Sequence, residues 1–335
     1  MPKKLAITSS LQIWRRIVQA SFILLSISIG LQFNTFYNQI VSGGPVTTPR
    51  PAGVEAFLPI SALLGMKRLL LTGYWDMIHP AGLTFLVAVI IGAIFFRRAF
   101  CSWICPFGSL SHFLEWAHHR LVNLPLHWNI PRWLKITALG IKYILLILIL
   151  WIMVFTMPLS SIEWFLFLPY NLAADANMLI FISHISIIVM IVIAGLIVFT
   201  IIVKNGWCRF LCPYGALLSV LGLLSPLRIT RNDVSCQHCM CCNLSCGVGI
   251  QVEDKHIIHS PECTMCLSCV SACPTENTLV VRTLWGTRAG NWLIPLGIVG
   301  IIFVAYAIAI WTGHWNSVLT LDDFRNAYQM GVRHK

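Results

Sequence analysis

Thirteen cysteines lie in a chain of 335 residues, and eight of them fall in two runs of one rhythm. The first run is Cys236-x2-Cys239-x2-Cys242-x3-Cys246. The second is Cys263-x2-Cys266-x2-Cys269-x3-Cys273, closed by Pro274. This is the spacing of bacterial two-cluster ferredoxins, in which three cysteines of one run and the last of the other hold each [4Fe–4S] cube. Cys236, Cys239, Cys242 and Cys273 are therefore expected to hold one cluster, and Cys263, Cys266, Cys269 and Cys246 the other. Structural zinc takes four ligands in paired short units, not two four-cysteine runs, so zinc and disulfides fit the spacing poorly. Two details depart from the pattern. Cys246 is followed by Gly247 instead of proline, and Cys241 beside Cys242 offers the first cluster a substitute ligand.

Four more cysteines form a repeat. Arg98-Ala-Phe-Cys101-Ser-Trp-Ile-Cys105-Pro-Phe-Gly108 is echoed by Asn205-Gly-Trp-Cys208-Arg-Phe-Leu-Cys212-Pro-Tyr-Gly215. Positions i and i+4 share a helical face, so both sulfurs of each CxxxCP pair can point the same way. The proline then falls at or just beyond the helix end, where a missing N–H costs least. Cys101, Cys105, Cys208 and Cys212 together could hold an additional iron–sulfur centre. A redox dithiol and inert buried thiols are the competing readings. Trp103 and Trp207, inside the two motifs, could shield such a centre from water.

The elements that must position these cysteines are membrane helices. The chain is 57% hydrophobic and 10% charged, with a mean hydropathy of +0.79. Ordinary soluble domains are about 45–50% apolar and about 25% charged. Segments 13–33, 79–96, 133–157, 179–203 and 292–311 are each near the ~20 apolar residues a bilayer core requires. The piece 54–71 carries Pro59, Lys67 and Arg68 and reads as an interfacial or re-entrant helix. The apolar stretch 17–33 lacks a small-residue cleavage site and reads as an anchor. The net charge is +11, but the basic residues are scattered at span ends without interleaved aromatics, so nucleic acid is not an expected partner.

Basic residues mark the N-terminus (Lys3, Lys4), the loop after the second span (Arg97, Arg98) and the loop after the fourth (Lys204, Arg209, Arg228). The positive-inside rule puts these on the cytoplasmic side of a bacterial inner membrane, with the C-terminus, carrying Arg333 and Lys335, in the periplasm. A reducing compartment suits thiolate ligands. The expected fold class is membrane all-α, with about five transmembrane helices, two CxxxCP-bearing pseudo-repeats and an inserted bacterial-type 2[4Fe–4S] ferredoxin-like domain. Residues 1–225 form the membrane domain with four helices, 226–285 the cluster domain, and 286–335 the fifth helix and tail. A cluster domain this small builds little apolar core, so iron and sulfide must hold it together.

Other candidates are weaker. His79 and His184, both near the outer end of a span, could ligate haem or line a quinone pocket, but span-end histidines are more often interfacial, and haem is not expected. Glu55, Trp75 and Asp76 lie near His79, where a carboxylate could take protons released by quinol oxidation. The competing reading is solvated loop charges. Lys142, inside the third span, reads as a side chain snorkelling to the inner surface.

With its paired CxxxCP motifs and two ferredoxin runs, the chain resembles the NapH/NosR/YccM-like polyferredoxin-type membrane proteins, a family that includes MauN. The likeness extends to Arg50-Pro-Ala-Gly-Val-Glu55-Ala-Phe-Leu-Pro59 and to Leu224-Ser-Pro-Leu-Arg228. It implies electron transfer at the cytoplasmic membrane, between the quinone pool and a partner redox protein or complex subunit. The alternative is a maturation or regulatory protein that supplies electrons for metal-cofactor assembly in another enzyme. Neither a phosphate loop nor a dinucleotide fingerprint is present, so nicotinamide oxidation by this chain alone is not expected.

Overall fold

The computed structural model describes residues 10–121 and 132–331. Lys3, Lys4, Arg333 and Lys335, used above to orient the chain, lie outside the described residues. Fifteen helices are described: α1 (Ser10–Val41), α2 (Pro59–Thr72), α3 (Pro80–Phe96), α4 (Ala99–Trp103), α5 (Pro106–Leu121), α6 (Arg132–Trp151), α7 (Leu159–Leu166), α8 (Pro169–Leu172), α9 (Ala174–Ser183), α10 (Ile187–Ile202), α11 (Pro213–Leu221), α12 (Cys241–Leu244), α13 (Ser268–Ala272), α14 (Leu293–Trp311) and α15 (Leu321–Gly331).

Among the described residues, three helical stretches are long and apolar enough to cross a membrane: Ser10–Val41, Ile136–Thr156 and Leu293–Trp311. Large apolar side chains stand exposed along them, Leu24, Leu31, Ile144, Ile147 and Leu296 among them, as a lipid-facing surface requires. The expected fourth span is not one straight helix. It breaks at His184-Ile185-Ser186, and α9 and α10 meet at 83°. α3, the expected second span, is 17 residues long. The piece 54–71 forms a short 3-10 turn (Ala52–Phe57) followed by α2, which is not among the membrane-length helices.

A three-stranded antiparallel sheet interrupts the helices. β1 (Leu227–Arg231) lies between β2 (Ile257–Ile258) and β3 (Leu279–Thr283), with Ile229 opposite Val281 and Ile258. Leu227, Ile229, Ile258, Leu279, Val280 and Val281 are buried and make the small apolar core of the cysteine-rich segment.

The chain divides into two compact units. One comprises Met1–Ile23, Ile90–Leu146 and Val192–Ile301, and the other Leu24–Val89, Ile147–Ile191 and Ile302–Lys335. The first contains every cysteine of the chain. The second packs Phe33, Phe36 and Ile40 of α1 against Ala173, Ala176, Phe324 and Tyr328. At its centre Arg50 binds two fully buried carboxylates, Asp175 at 2.8 Å and Glu55 at 2.8 Å. Tyr328 donates to Asp175 at 3.3 Å, and Arg50 lies 4.9 Å over the Phe324 ring. Removing one partner of a buried ion pair leaves an uncompensated charge and costs about 3–5 kcal/mol. Arg50→Ala should therefore lower the stability of the protein by about that amount, read as a drop in thermal midpoint in detergent, whereas Arg325→Ala, at an exposed pair, should leave the midpoint unchanged within about 0.5 kcal/mol.

Candidate iron–sulfur centres

The two cysteine runs adopt the same backbone twice. His238 and Met240 in the first run, and Met265 and Leu267 at the equivalent positions of the second, all have positive φ. Four non-glycine residues in the left-handed region cost about 1 kcal/mol or more each. What they achieve is a tight wrap of Cys-x-x-Cys, of the kind whose backbone N–H groups make an anion-binding concavity. Each run then enters a short helix, α12 or α13, that carries its third cysteine, and these two helices pack on each other.

One of the two expected cysteine sets lines a cavity, and the other is grouped beside it. Cys236, Cys239, Cys242 and Cys273 line one open cavity, together with Arg231, Glu253 and Pro274. Cys241 is not in that lining; its Sγ lies 3.6 Å from the Cys239 carbonyl oxygen. The other four sulfurs are grouped in the interior. Burial, and then the neighbouring Cys266, Cys246 and Cys263, push the Cys269 thiol well up. Burial followed by Cys266 pushes Cys246 up to about 11. Buried thiols crowded in this way ionise together only around a cation, which is how a metal cluster couples to folding. Among the described residues, no three His, Cys, Asp or Glu side chains converge on a point that would suit a single metal ion.

The CxxxCP cysteines also meet. Cys101 and Cys208, one from each repeat, line a second open cavity with Arg98, His112, Arg209 and Thr264. Burial, with Cys101 and Cys212 nearby, raises Cys208 to about 12. Burial, with Cys101 and Cys208, likewise raises Cys105. In the first repeat the residue three past the second cysteine must be glycine, and in the second a Cβ there would press on the end of the Arg98 side chain. A Cβ on Gly108 would lie 1.9 Å from the Cys101 carbonyl oxygen, and one on Gly215 would lie 2.9 Å from an Arg98 nitrogen. Cys212 caps α11, its Sγ accepting from the Gly215 N–H at 3.3 Å. The donor set is soft, thiolate-rich and ringed by basic groups, which fits an anionic iron–sulfur cluster.

The first CxxxCP motif is bonded to the second ferredoxin run. Ser102 donates to the Thr264 carbonyl at 2.7 Å, and the Trp103 indole donates to the Met265 carbonyl at 3.2 Å. From α1, Gln12 and Arg15 each donate to the Cys266 carbonyl at 3.2 Å. Trp103 is fully buried at this junction. Arg97 holds the Ile258 and Ser260 carbonyls at 2.8 and 2.6 Å.

Glu262, the residue before Cys263, receives Arg98 at 2.9 Å, Lys142 at 2.6 Å and Tyr143 at 3.0 Å. Burial would raise its carboxyl, but Arg98 and Lys142 outweigh that and hold it below the usual range. Lys142 therefore does not snorkel; it is fully buried in this ion pair. Sequence reasoning missed Arg98, Glu262 and the two glycines as site residues. The glycines were visible as an identity shared by the two repeats beyond their cysteines and proline, and Glu262 by its place beside a ligand.

The remaining candidates separate. His184 is exposed, whereas His79 is fully buried, 2.9 Å from the Asn171 carbonyl and 3.5 Å from Glu55. Glu55 is not a solvated loop charge. It accepts from Arg50, from the Ala81 N–H at 2.9 Å and from the Gly82 N–H at 3.2 Å, capping α3. Burial opposes its ionisation, yet Arg50 and His79 hold it low, so it anchors and is not a ready base. Asp76 is the opposite case: Oδ1 accepts from the Ile78 N–H at 3.0 Å, while Oδ2 is buried without a partner, and burial raises the carboxyl. Trp75 packs edge-on to His314, with 5.5 Å between ring centroids.

Comparison with known proteins places these features in a family. A profile described as a 4Fe-4S binding domain matches residues 78–125 and 185–232, the two CxxxCP repeats. The putative electron transport protein YccM of Escherichia coli K12 is 34% identical over 319 residues, covering 93% of this chain and 88% of that protein. The ferredoxin-type protein NapH of the same organism is 28% identical, covering 63% of this chain and 71% of its own length. The regulatory protein NosR of Stutzerimonas stutzeri is 28% identical over 61% of this chain and 27% of its own length. No solved structure matches.

A raised folded-state carboxyl such as Asp76 contributes stability that is present below the ordinary aspartate range and lost as pH rises through the raised value. Asp76→Asn should keep that contribution, so its thermal midpoint should fall less than that of the parent protein as pH is raised from the ordinary aspartate range. Equal falls would mean that the Asp76 carboxyl is not raised.

Proposed function

We propose, for a chain that belongs to the NapH/NosR/YccM-like family of polyferredoxin-type membrane proteins, that it carries electrons between a soluble redox partner and the quinone pool. Its cofactors are two [4Fe–4S] clusters, one on Cys236, Cys239, Cys242 and Cys273 and one on Cys263, Cys266, Cys269 and Cys246. A third iron–sulfur centre is held by Cys101, Cys105, Cys208 and Cys212. The clusters supply reversible one-electron chemistry; the chain supplies ligands, spacing and electrostatics.

The observation that carries this reading is the Ser102 and Trp103 bonding to the carbonyls of Thr264 and Met265. These two carbonyls lie between Cys263 and Cys266, so a motif at the end of a membrane segment is joined to the second cluster loop by buried hydrogen bonds. Such contacts fix distance and orient ligands, as the surroundings of metal sites do. The match of a 4Fe-4S profile to the CxxxCP repeats supports the third centre.

Around this core the reading is a cytoplasmic-membrane protein of five spans. Residues 1–225 form the membrane domain, 226–285 the cytoplasmic cluster domain and 286–335 the last span and periplasmic tail. The bent pair α9 and α10 counts as one span in this scheme, and α3 as a short one.

The test is anaerobic reoxidation. Protein purified with its clusters and reduced with dithionite should be reoxidised by a short-chain benzoquinone, followed by the return of cluster absorbance. Cys105→Ser should retain the reduced-state EPR signals of the two ferredoxin clusters while losing at least about tenfold in reoxidation rate, a rise of about 1.4 kcal/mol in barrier. Reoxidation by the quinone at the parental rate in Cys105→Ser would contradict a path through the CxxxCP centre.

A further inference from the structure

The two ferredoxin cysteine sets sit in surroundings of opposite electrostatic sign. Around Cys246, Cys263, Cys266 and Cys269 the chain gathers buried arginines. Arg97 holds the Ile258 and Ser260 carbonyls just before Cys263. Arg15 donates to the Cys266 carbonyl and, at 2.9 Å, to Ser268. Arg209 is buried over the loop that follows Cys246, where a Cβ on Gly249 would lie 3.1 Å from its guanidinium. Arg98 and Lys142 together face the single carboxylate of Glu262. The other carboxylate nearby, Glu115, has Lys204 3.8 Å away. Cations outnumber anions, and Arg97 and Arg98 both act on the Cys263 sulfur.

Around Cys236, Cys239, Cys242 and Cys273 the balance is reversed. Arg231 lines the cavity, faces the Cys236 sulfur and is, among the described residues, the one guanidinium there. It stands against two carboxylates: Asp233, with which it is paired, and Glu253, which lines the cavity and has one buried oxygen without a hydrogen-bond partner. Its other oxygen meets His238 at 3.0 Å. Cys239 is exposed, whereas Cys246, Cys263 and Cys269 are buried.

Reducing a cluster adds one negative charge. Fixed cations nearby stabilise that charge, and they do so more strongly in the interior, where water screens them little. Burial alone would disfavour the added charge, but here the desolvated side of the site is lined by guanidinium groups that replace water. The carboxylate at the exposed site acts in the other direction.

We propose that the Cys246/Cys263/Cys266/Cys269 cluster is the easier of the two to reduce, so that electrons enter from a soluble low-potential one-electron carrier at the exposed cluster and run inward. This rests on the cluster assignments of the preceding section and deepens them by giving the path a direction. Each electron lost by the carrier is gained first at the exposed cluster and then at the buried one; no bond is broken and no proton moves. Arg97 is a positioning residue in this scheme, acting on potential without touching a substrate.

The experiment is an EPR-monitored redox titration of the full chain, purified anaerobically with its clusters, for the parent protein and for Arg97→Gln, Arg97→Lys and Glu253→Gln. Iron is assayed on each. In the parent, the two clusters of the ferredoxin runs should half-reduce at distinct potentials, the CxxxCP centre being identified by the signal that Cys105→Ser removes. Arg97→Gln should move only the higher one downward, by about a tenfold change in reduced-to-oxidised ratio, about 59 mV for one electron. Arg97→Lys should restore it, and Glu253→Gln should move only the lower one upward. The proposal is overturned if Arg97→Gln moves the lower-potential cluster, if neither substitution moves a potential, or if Arg97→Gln loses iron while the remaining potentials stay put. A parent protein without two reduced-cluster signals would instead overturn the cluster assignments themselves, and the proposal with them.

Discussion

The Glu262 carboxylate, buried against Arg98, Lys142 and Tyr143, is the contact on which the cysteine-bearing unit depends. It comes immediately before Cys263, and its partners come from the start of the first CxxxCP motif and from α6. A buried ion pair of this kind is weak evidence for stability, because desolvation offsets much of the attraction. What it provides is register. A carboxylate with three donors in fixed directions admits one docking of the second cluster loop, whereas an apolar contact would tolerate sliding. Arg98 then reaches the Cys208 carbonyl at 3.2 Å, so the same side chain relates both CxxxCP repeats to the cluster domain.

The second unit solves a similar problem with a different outcome. Arg50, Glu55, Asp175 and His79 are buried together, and the two carboxylates are matched by one guanidinium and one imidazole. Glu55 also neutralises the positive end of α3 by capping it. Asp76, close by, is left with a free oxygen and a raised carboxyl. Two acidic groups in one neighbourhood have thus been driven apart, one into a permanent anion and one into a titratable acid.

The cysteine sets were legible because ligand spacing is local: it is written within eleven residues of chain and repeated. Membrane character was legible from hydropathy alone, and α2 from its short uncharged length. What was not legible depends on distant partners. Lys142 looks like a snorkelling residue until Glu262, 120 positions away, is brought to it. Glu55 looks like a loop charge until the N–H groups of α3 are seen to need it. The break at His184-Ile185-Ser186 carries neither proline nor glycine and lies inside an apolar stretch, so no local signal marks it. The sheet strands are too short, at five, two and five residues, for alternation to stand out.

In the proposed arrangement three cysteine sets, not two, hold iron. Iron and acid-labile sulfide counted per chain on anaerobically purified protein test it most directly. About twelve of each are predicted, one four-iron cube per set. About eight would contradict it, leaving Cys101, Cys105, Cys208 and Cys212 to thiol chemistry or to packing.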